Sequence, residues 1–373
     1  ILEIANGIGD FKYSVPSGYL ALCAANLPAP GIDPAEDEAP TDYFNTVLYS
    51  GNSSTNNITG VGFQPDWVWI KVRNATGQHS VFDAVRGATK RLGDGASGLG
   101  TAVESTVAAS LQSFDSDGFT FGAEAGNNSG ENYVAWSWKA GGTAVSNTDG
   151  SITSSVSASP ESGFSIVTYT GDSDVNNETV GHGLGVAPKV VILKPRTEAR
   201  HWLIWHHDFN DNDKALLFNL DPPADNRFGP NAPTANVFGV YAGQGNRNGT
   251  DFVAYCFADI DGMVKAGSHV GNGSTDGPFL YTGFRPAFVI FKRTDTTSNW
   301  SLYDAAREPT NVNDSVLYAN TNDAEIANNS TVELDFVSNG IKLRDAPNQF
   351  NVSGATYVYL AFAEQPFKYA NAR

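Results

Sequence analysis

The chain has 373 residues, with 23 Lys and Arg against 40 Asp and Glu, a formal charge of −17 and a pI near 4.6. A surface that acidic repels phosphate backbones and anionic lipid, which disfavours nucleic-acid and membrane-surface partners. At 41% apolar and 17% charged residues it is no disordered tail, and two cysteines, Cys23 and Cys256, exclude a disulfide framework or a cysteine-rich zinc site.

No apolar run approaches the roughly 20 residues of a membrane helix. No basic stretch followed by an apolar one opens the chain, so no signal peptide is expected. Ile1 comes first and Met263 is the one methionine, so the chain is expected to begin inside a longer polypeptide or after a cleavage.

Residues 1–41 precede the first β pattern and end in a Pro/Asp/Glu-rich stretch, 28–40. Residues 44–49 form a short β-branched and aromatic run closed by Gly51, and 164–169 form its counterpart before Gly171. Next comes a proline-led strand, Pro65-Asp-Trp-Val-Trp-Ile-Lys71, with large apolar residues on both faces, as in a strand buried between two layers. Its proline suits the first strand position, where a missing N–H costs no ladder bond. Val103, Val107 and Leu111 have the spacing of a short surface helix. Tyr133-Val-Ala-Trp-Ser-Trp138 then alternates bulky against small residues, which predicts close packing of another layer on the small side.

These features recur. The proline-led strand returns as Pro188-Lys-Val-Val-Ile-Leu-Lys194 and Pro286-Ala-Phe-Val-Ile-Phe-Lys292. The closing strand returns as Phe252-Val-Ala-Tyr-Cys-Phe257 and Tyr357-Val-Tyr-Leu-Ala-Phe362, and Ser268-His-Val-Gly271 is a weaker third opening. Phe82-Asp-Ala-Val-Arg86 pairs with Tyr303-Asp-Ala-Ala-Arg307. A period this long indicates tandem domains rather than a solenoid. The expected fold is all-β: three antiparallel β-sandwich modules of jelly-roll or concanavalin A-like type, at 42–141, 163–262 and 263–373. Residues 142–162 read as a strand-bearing linker, and the second and third modules are expected to share an interface.

Catalytic signals are weak. Glu333-Leu-Asp335 resembles the start of a sandwich-glucanase strand, but Phe336, Val337 and Ser338 supply no second carboxylate. The chain is therefore read as no enzyme. Asp115, Asp117, Asp208, Asp211, Asp213, Asp259 and Asp261 lie in Asp-rich loops that resemble the start of calcium sites, although none continues to a closing glutamate. Plain Asp-Gly turns are the alternative, with no cofactor. His206 and His207 would face opposite ways in a strand, which argues against shared zinc. Asp83/Arg86 and Asp304/Arg307 read as structural ion pairs. Lys71, Lys194 and Lys292 read as snorkelling to solvent or pairing with those aspartates. Trp67, Trp69, Trp136 and Trp138 read as core, whereas Trp202, Trp205 and Trp300 sit in more polar surroundings and are the candidates for stacking on sugar rings.

The stretch Gly9-Asp-Phe-Lys-Tyr-Ser-Val-Pro-Ser-Gly-Tyr-Leu-Ala-Leu-Cys-Ala-Ala-Asn-Leu-Pro28 resembles the last strand of a SPRY domain as found in bacteriophage virion proteins, many from marine phages. Residues 133–147, 181–194, 279–294 and 362–373 resemble the region that follows that domain, in the same order. The resemblance implies a SPRY body upstream of Ile1 and a natural C-terminus near Arg373. It also implies a virion location, on the tail or another exterior surface, and a homotrimeric fibre or spike with other virion proteins as partners. It carries no catalytic or ligand residues. The functional expectation is a tail-fibre or spike protein that binds host-surface carbohydrate or another receptor. An architectural decoration or connector protein is the alternative, and a polysaccharide depolymerase the third.

Overall fold

The computed structural model describes residues 26–93, 98–173, 175–209, 211–212, 214–222, 225–226, 228–229 and 231–370, together with Pro16, Ser17, Tyr19 and Cys23. Most of the stretch that resembles a SPRY strand, and Asp213, lie outside these residues. The described chain is all-β, built of antiparallel sheets and a few short 3-10 turns. The helical spacing at Val103, Val107 and Leu111 does not give a helix. Ser105–Thr106 and Leu111–Asp115 are strands, and Leu111 points into the core.

Three main sheets share one strand order: opening, closing, proline-led, fourth. The opening strands are Phe44–Ser50, Phe164–Thr170 and Val264–Val270. The closing strands are Asn132–Trp138, Asp251–Phe257 and Thr356–Pro366. The proline-led strands are Trp67–Val72, Val190–Pro195 and Phe284–Arg293, and the fourth strands are His79–Asp83, Leu203–His206 and Ser301–Asp304. Register makes the equivalence exact to the residue: Trp138, Phe257 and Phe362 each sit between the first residue of an opening strand and Trp67, Val190 or Phe288. Pro65 and Pro188 precede their strands, but Pro286 lies within one. A bulge at Arg285, Pro286 and Phe288 accommodates it, since a bulged residue need not donate to the ladder.

Each main sheet is buried on both faces. The small-residue side (Ala135; Ala254 and Cys256; Ala361 and Ala363) packs under a smaller outer sheet and forms the module's own core. The bulky side (Trp67, Trp69, Trp136 and Trp138; Tyr255 and Phe257; Phe288 and Phe362) enters one core common to all three modules. Trp67 stacks on Tyr255 with ring centroids 4.5 Å apart, Phe44 on Phe362 at 5.0 Å, and Phe257 meets Phe362 edge-on at 5.5 Å. The arrangement is thus three sandwiches closed around a shared aromatic centre, rather than beads on a string with one shared interface. Residues 142–162 are part of this body, because Val145–Asn147 and Ser154–Ser159 extend the second sheet beyond its opening strand.

Small details repeat as well. Asn127, Asn246 and Asn351, all buried, accept through Oδ1 the N–H of Asn52, Asp172 and Asn272, which fixes the turn after each opening strand. Tyr49, Tyr169 and His269 stack on Tyr133, Phe252 and Tyr357 at 5.1, 5.1 and 5.0 Å. Their polar tips reach the carbonyls of Gly126, Gly245 and Phe350, each at 2.6 Å.

Candidate functional site

The residues singled out for chemistry fall mostly inside the fold. Trp202 and Trp300 are 1% and 3% exposed, and their indole N–H groups donate across module boundaries to the carbonyls of Leu99 (3.3 Å) and Leu217 (3.0 Å). Trp205 is 3% exposed in the second module's own core, against Phe228. None of the three presents a face to a sugar. The polar neighbours that suggested exposure serve the backbone instead: Asn219 accepts the N–H of Trp202, and Asn320 that of Trp300.

The repeated lysines do not snorkel. Lys71, Lys194 and Lys292 are fully buried, and each ammonium donates to a carbonyl six residues ahead (Gly77, Arg200, Ser298) and to one in a neighbouring module (Asn322, Thr101, Asp221). Burial pushes them down to about 8, 7 and 8, against nearby carboxylates at Lys71 and Lys292 and together with the Arg86 charge at Lys194.

Asp83 and Asp304 do pair with Arg86 and Arg307, and both carboxylates also cap the turn by accepting the arginine's own N–H. The pairs have a second task at the boundaries between modules. Asp83 accepts the hydroxyl of Tyr255 at 2.7 Å, and Asp304 the indole N–H of Trp136 at 3.1 Å. Glu104 then joins Arg86 to Arg196, and Glu325 joins Arg307 to Arg73. At the third boundary the same positions hold His206, Phe209 and Leu360. Leu360 has no donor, so an aspartate there would be a buried charge without a partner. His206 supplies a neutral contact with the carbonyl of Tyr359 at 3.2 Å.

The aspartates proposed for calcium are largely engaged by protein. Asp115 accepts the hydroxyls of Ser113 and Thr120 at 2.8 and 2.7 Å. Asp117 accepts the N–H groups of Gly62 and Gly60 at 2.7 and 3.1 Å, which hold its carboxyl below the usual range. Asp259 takes the Lys265 ammonium and the N–H of Ala266. Asp211 accepts the Lys214 N–H through its carbonyl. Among the described residues, one group of three metal-capable side chains converges to within 4.8 Å: His206, His207 and Asp208. The two imidazoles stack 5.0 Å apart, because the strand ends at His206 and its alternation stops there. Both ring nitrogens of His206 already face backbone partners, the Asp208 N–H and the Tyr359 carbonyl, and two imidazoles do not suit calcium's preference for oxygen.

The surface carries a feature that sequence reading passed over. Phe279–Tyr281 is the edge strand of the third module's outer sheet. Leu280 points into the core, while Phe279 and Tyr281 point outward together, 47% and 60% exposed and roughly 7 Å apart along the strand. Phe279 lies over Gly340, where a Cβ would come within 2.9 Å of the ring and 2.1 Å of the Leu280 carbonyl, so a side chain there would displace it. Lys342, opposite Phe279, holds the exposed Asp276 carboxylate at 2.6 Å. At the other end, a point above Gly283 lies 3.4 Å from Asp261 Oδ1 and 3.7 Å from the Tyr281 hydroxyl. The exposed Asp261 carboxylate has no hydrogen-bond partner among the described residues. The equivalent outward positions in the other modules are Asn57 with Thr59 and Thr179 with Gly181, each flanking a buried Ile58 or Val180. Lining up those three strands on their central apolar residue is the signal that could have found the strip.

One family model matches, a domain of unknown function (DUF7483), over residues 39–366. No curated protein and no solved structure matches the chain. The matched span runs from just before the first module almost to the end of the last closing strand, so the chain belongs to the DUF7483 family.

Proposed function

We propose that the protein is a non-enzymatic component of a phage virion exterior, a tail fibre or spike, that binds host-surface carbohydrate through the Phe279/Tyr281 strip. The observation that carries this reading is the pair of outward aromatic rings with the uncommitted Asp261 carboxylate at one end and the Asp276–Lys342 pair at the other. Ring faces pack on the C–H side of pyranoses, and carboxylates and an ammonium fix hydroxyls. The resemblance of the sequence to phage virion proteins supplies the setting. Copies assembled as a trimer would present three strips, and avidity would multiply a weak single contact.

The test is adsorption competition. Purified chain added to host cells before the parent phage should reduce adsorption, and Phe279→Ala with Tyr281→Ala should abolish that effect at unchanged thermal stability. Asp261→Asn should weaken it by about tenfold, the size of one lost charged hydrogen bond. Competition that survives the double substitution would remove the strip from the binding site. No competition by the folded parent chain would leave the architectural reading in front.

A further inference from the structure

The two ends of the Phe279/Tyr281 strip differ in how their charge is met. At the Phe279 end the Asp276 carboxylate takes the Lys342 ammonium at 2.6 Å, and that ammonium also donates to the Gly277 carbonyl. At the Tyr281 end Asp261 has no counter-charge. Lys265, four residues on, is held by Asp259, and no ion pair or hydrogen bond reaches the Asp261 carboxylate among the described residues.

The space beside Asp261 is shaped by backbone. Asp261 lies where the second module passes into the third, and its carbonyl accepts the Gly31 N–H at 2.9 Å. Gly283, just past the strip, has a φ of +84°, and its carbonyl accepts the Phe367 N–H at 3.0 Å. A side chain is strained in that left-handed conformation, so glycine keeps the space open. Asp261 Oδ1, the Tyr281 hydroxyl and the edge of the Tyr281 ring face it, at 3.4, 3.7 and 3.9 Å from where a Cβ would lie. In the first module buried Val61 stands at the position of Gly283, with Thr59 at that of Tyr281. In the second, Gly183 is matched by Gly181, which offers no ring. Among the described residues, the third module alone gathers a ring, a phenol and a carboxylate around one open notch.

The chemistry of the notch sets what it takes up. A carboxylate only accepts and a phenol donates one proton, so the place between them lacks N–H donors and a positive charge. An ammonium supplies both. A sugar hydroxyl supplies one donor and no charge, and a carboxylate or sulfate would meet Asp261 as a like charge on a chain of charge −17. We propose that the strip selects a glycan with a free amino group, an amino sugar whose pyranose face packs on Tyr281 and whose ammonium sits between Asp261 Oδ1 and the Tyr281 hydroxyl. The Phe279 end, where Lys342 already neutralises Asp276, takes a neutral sugar residue. The proposal rests on the carbohydrate reading of the strip and adds the class of sugar.

The test titrates the full chain with methyl glucosaminide, its N-acetyl derivative and methyl glucoside at millimolar concentrations, followed by amide NMR shifts around Tyr281. The glucosaminide should bind about fivefold more tightly than the other two, the upper range for an exposed ion pair. Asp261→Asn should remove that preference, and Phe279→Ala with Tyr281→Ala should remove binding of all three. Butylammonium, which has the charge without the ring, should bind far more weakly. Equal binding of the three glycosides, lost in the double variant, would overturn the amino-sugar proposal and leave the strip a carbohydrate site. A preference that survives Asp261→Asn would overturn it as general attraction of a cation to an acidic chain. Butylammonium bound as tightly as the glucosaminide would overturn the sugar and leave a bare cation site. Shifts from none of the glycosides would overturn both readings.

Discussion

Two of the three boundaries between modules are locked by a buried aspartate–arginine pair, and the third is not. Between the first module and each of its neighbours, an aspartate, two arginines and a glutamate form a chain that ends on a tyrosine hydroxyl or an indole N–H from across the boundary. Between the second and third modules, His206, Phe209 and Leu360 hold the same positions with one neutral contact, and a groove of about 520 Å³ lies alongside. The difference shows that the polar residues at a boundary change as a set. With Leu360 offering no donor, an aspartate and its arginine would be buried there at high cost.

The largest effect should come from breaking a lock. Asp83→Ala or Asp304→Ala takes from a fully buried guanidinium the nearer of its two carboxylates, leaves Tyr255 or Trp136 without its acceptor, and should lower unfolding free energy by about 3–5 kcal/mol. His206→Ala, at the matching position, removes a neutral contact and should cost about 1–2 kcal/mol. Denaturant unfolding at pH 7 measures all three. Equal losses would mean that the boundaries carry equal load and would end the comparison.

A second effect sharpens it through pH. Burial pushes His79 down to about 3 and His206 and His269 down to about 4. Their protonation in the folded state is thus suppressed, while the unfolded chain takes up these protons near pH 6.5. The unfolded state binds more protons between those limits, so stability is full above pH 6.5 and falls as pH drops toward 4, by about 1.4 kcal/mol per unit for each group. For His79 the structure gives the reason directly. Trp69 donates its indole N–H to Nδ1, so a proton there would meet a donor. His269 can be relieved without loss, because Tyr49 and Tyr169 make the same stack and the same carbonyl contact in the other modules. His269→Tyr should shrink the stability difference between pH 7 and pH 4.5 by about 2 kcal/mol, measured by parallel melts. An unchanged difference would show that His269 takes up its proton at ordinary pH in the folded chain.

Much of this fold was legible because its repeats are local. The closing strands, the proline-led strands and the turn glycines Gly51, Gly171 and Gly271 each encode a strand or its end within a few residues. Which face of each sheet meets another module is not local information. Trp136 looked like core and is core, but nothing along the chain says that its partner is Asp304, 168 residues away. The lysines misled for the same reason: a strand-end lysine is ordinary at a surface, and only closure of three sheets around one centre buries it. The strip at Phe279 and Tyr281 was hidden differently. Three consecutive apolar residues look alike until one knows that the strand is an edge with a single buried face.

The smallest expected effect separates the three tryptophans once assigned to the surface. Trp300→Phe and Trp202→Phe delete an indole that packs in the common core and also remove the hydrogen bond it donates across the boundary to the carbonyl of Leu217 or Leu99. Trp205→Phe deletes an indole whose N–H has no partner among the described residues, within one module's own core. All three lose similar packing, so the difference isolates the bond across the boundary, worth about 1 kcal/mol. The shorter contact of Trp300, 3.0 Å against 3.3 Å, places its loss first and that of Trp202 second. Equal losses in all three would mean that packing alone holds the centre and that the bonds between modules only orient the sheets. On the proposed carbohydrate reading, none of the three should change competition for adsorption, because all three are buried and Phe279 and Tyr281 are exposed.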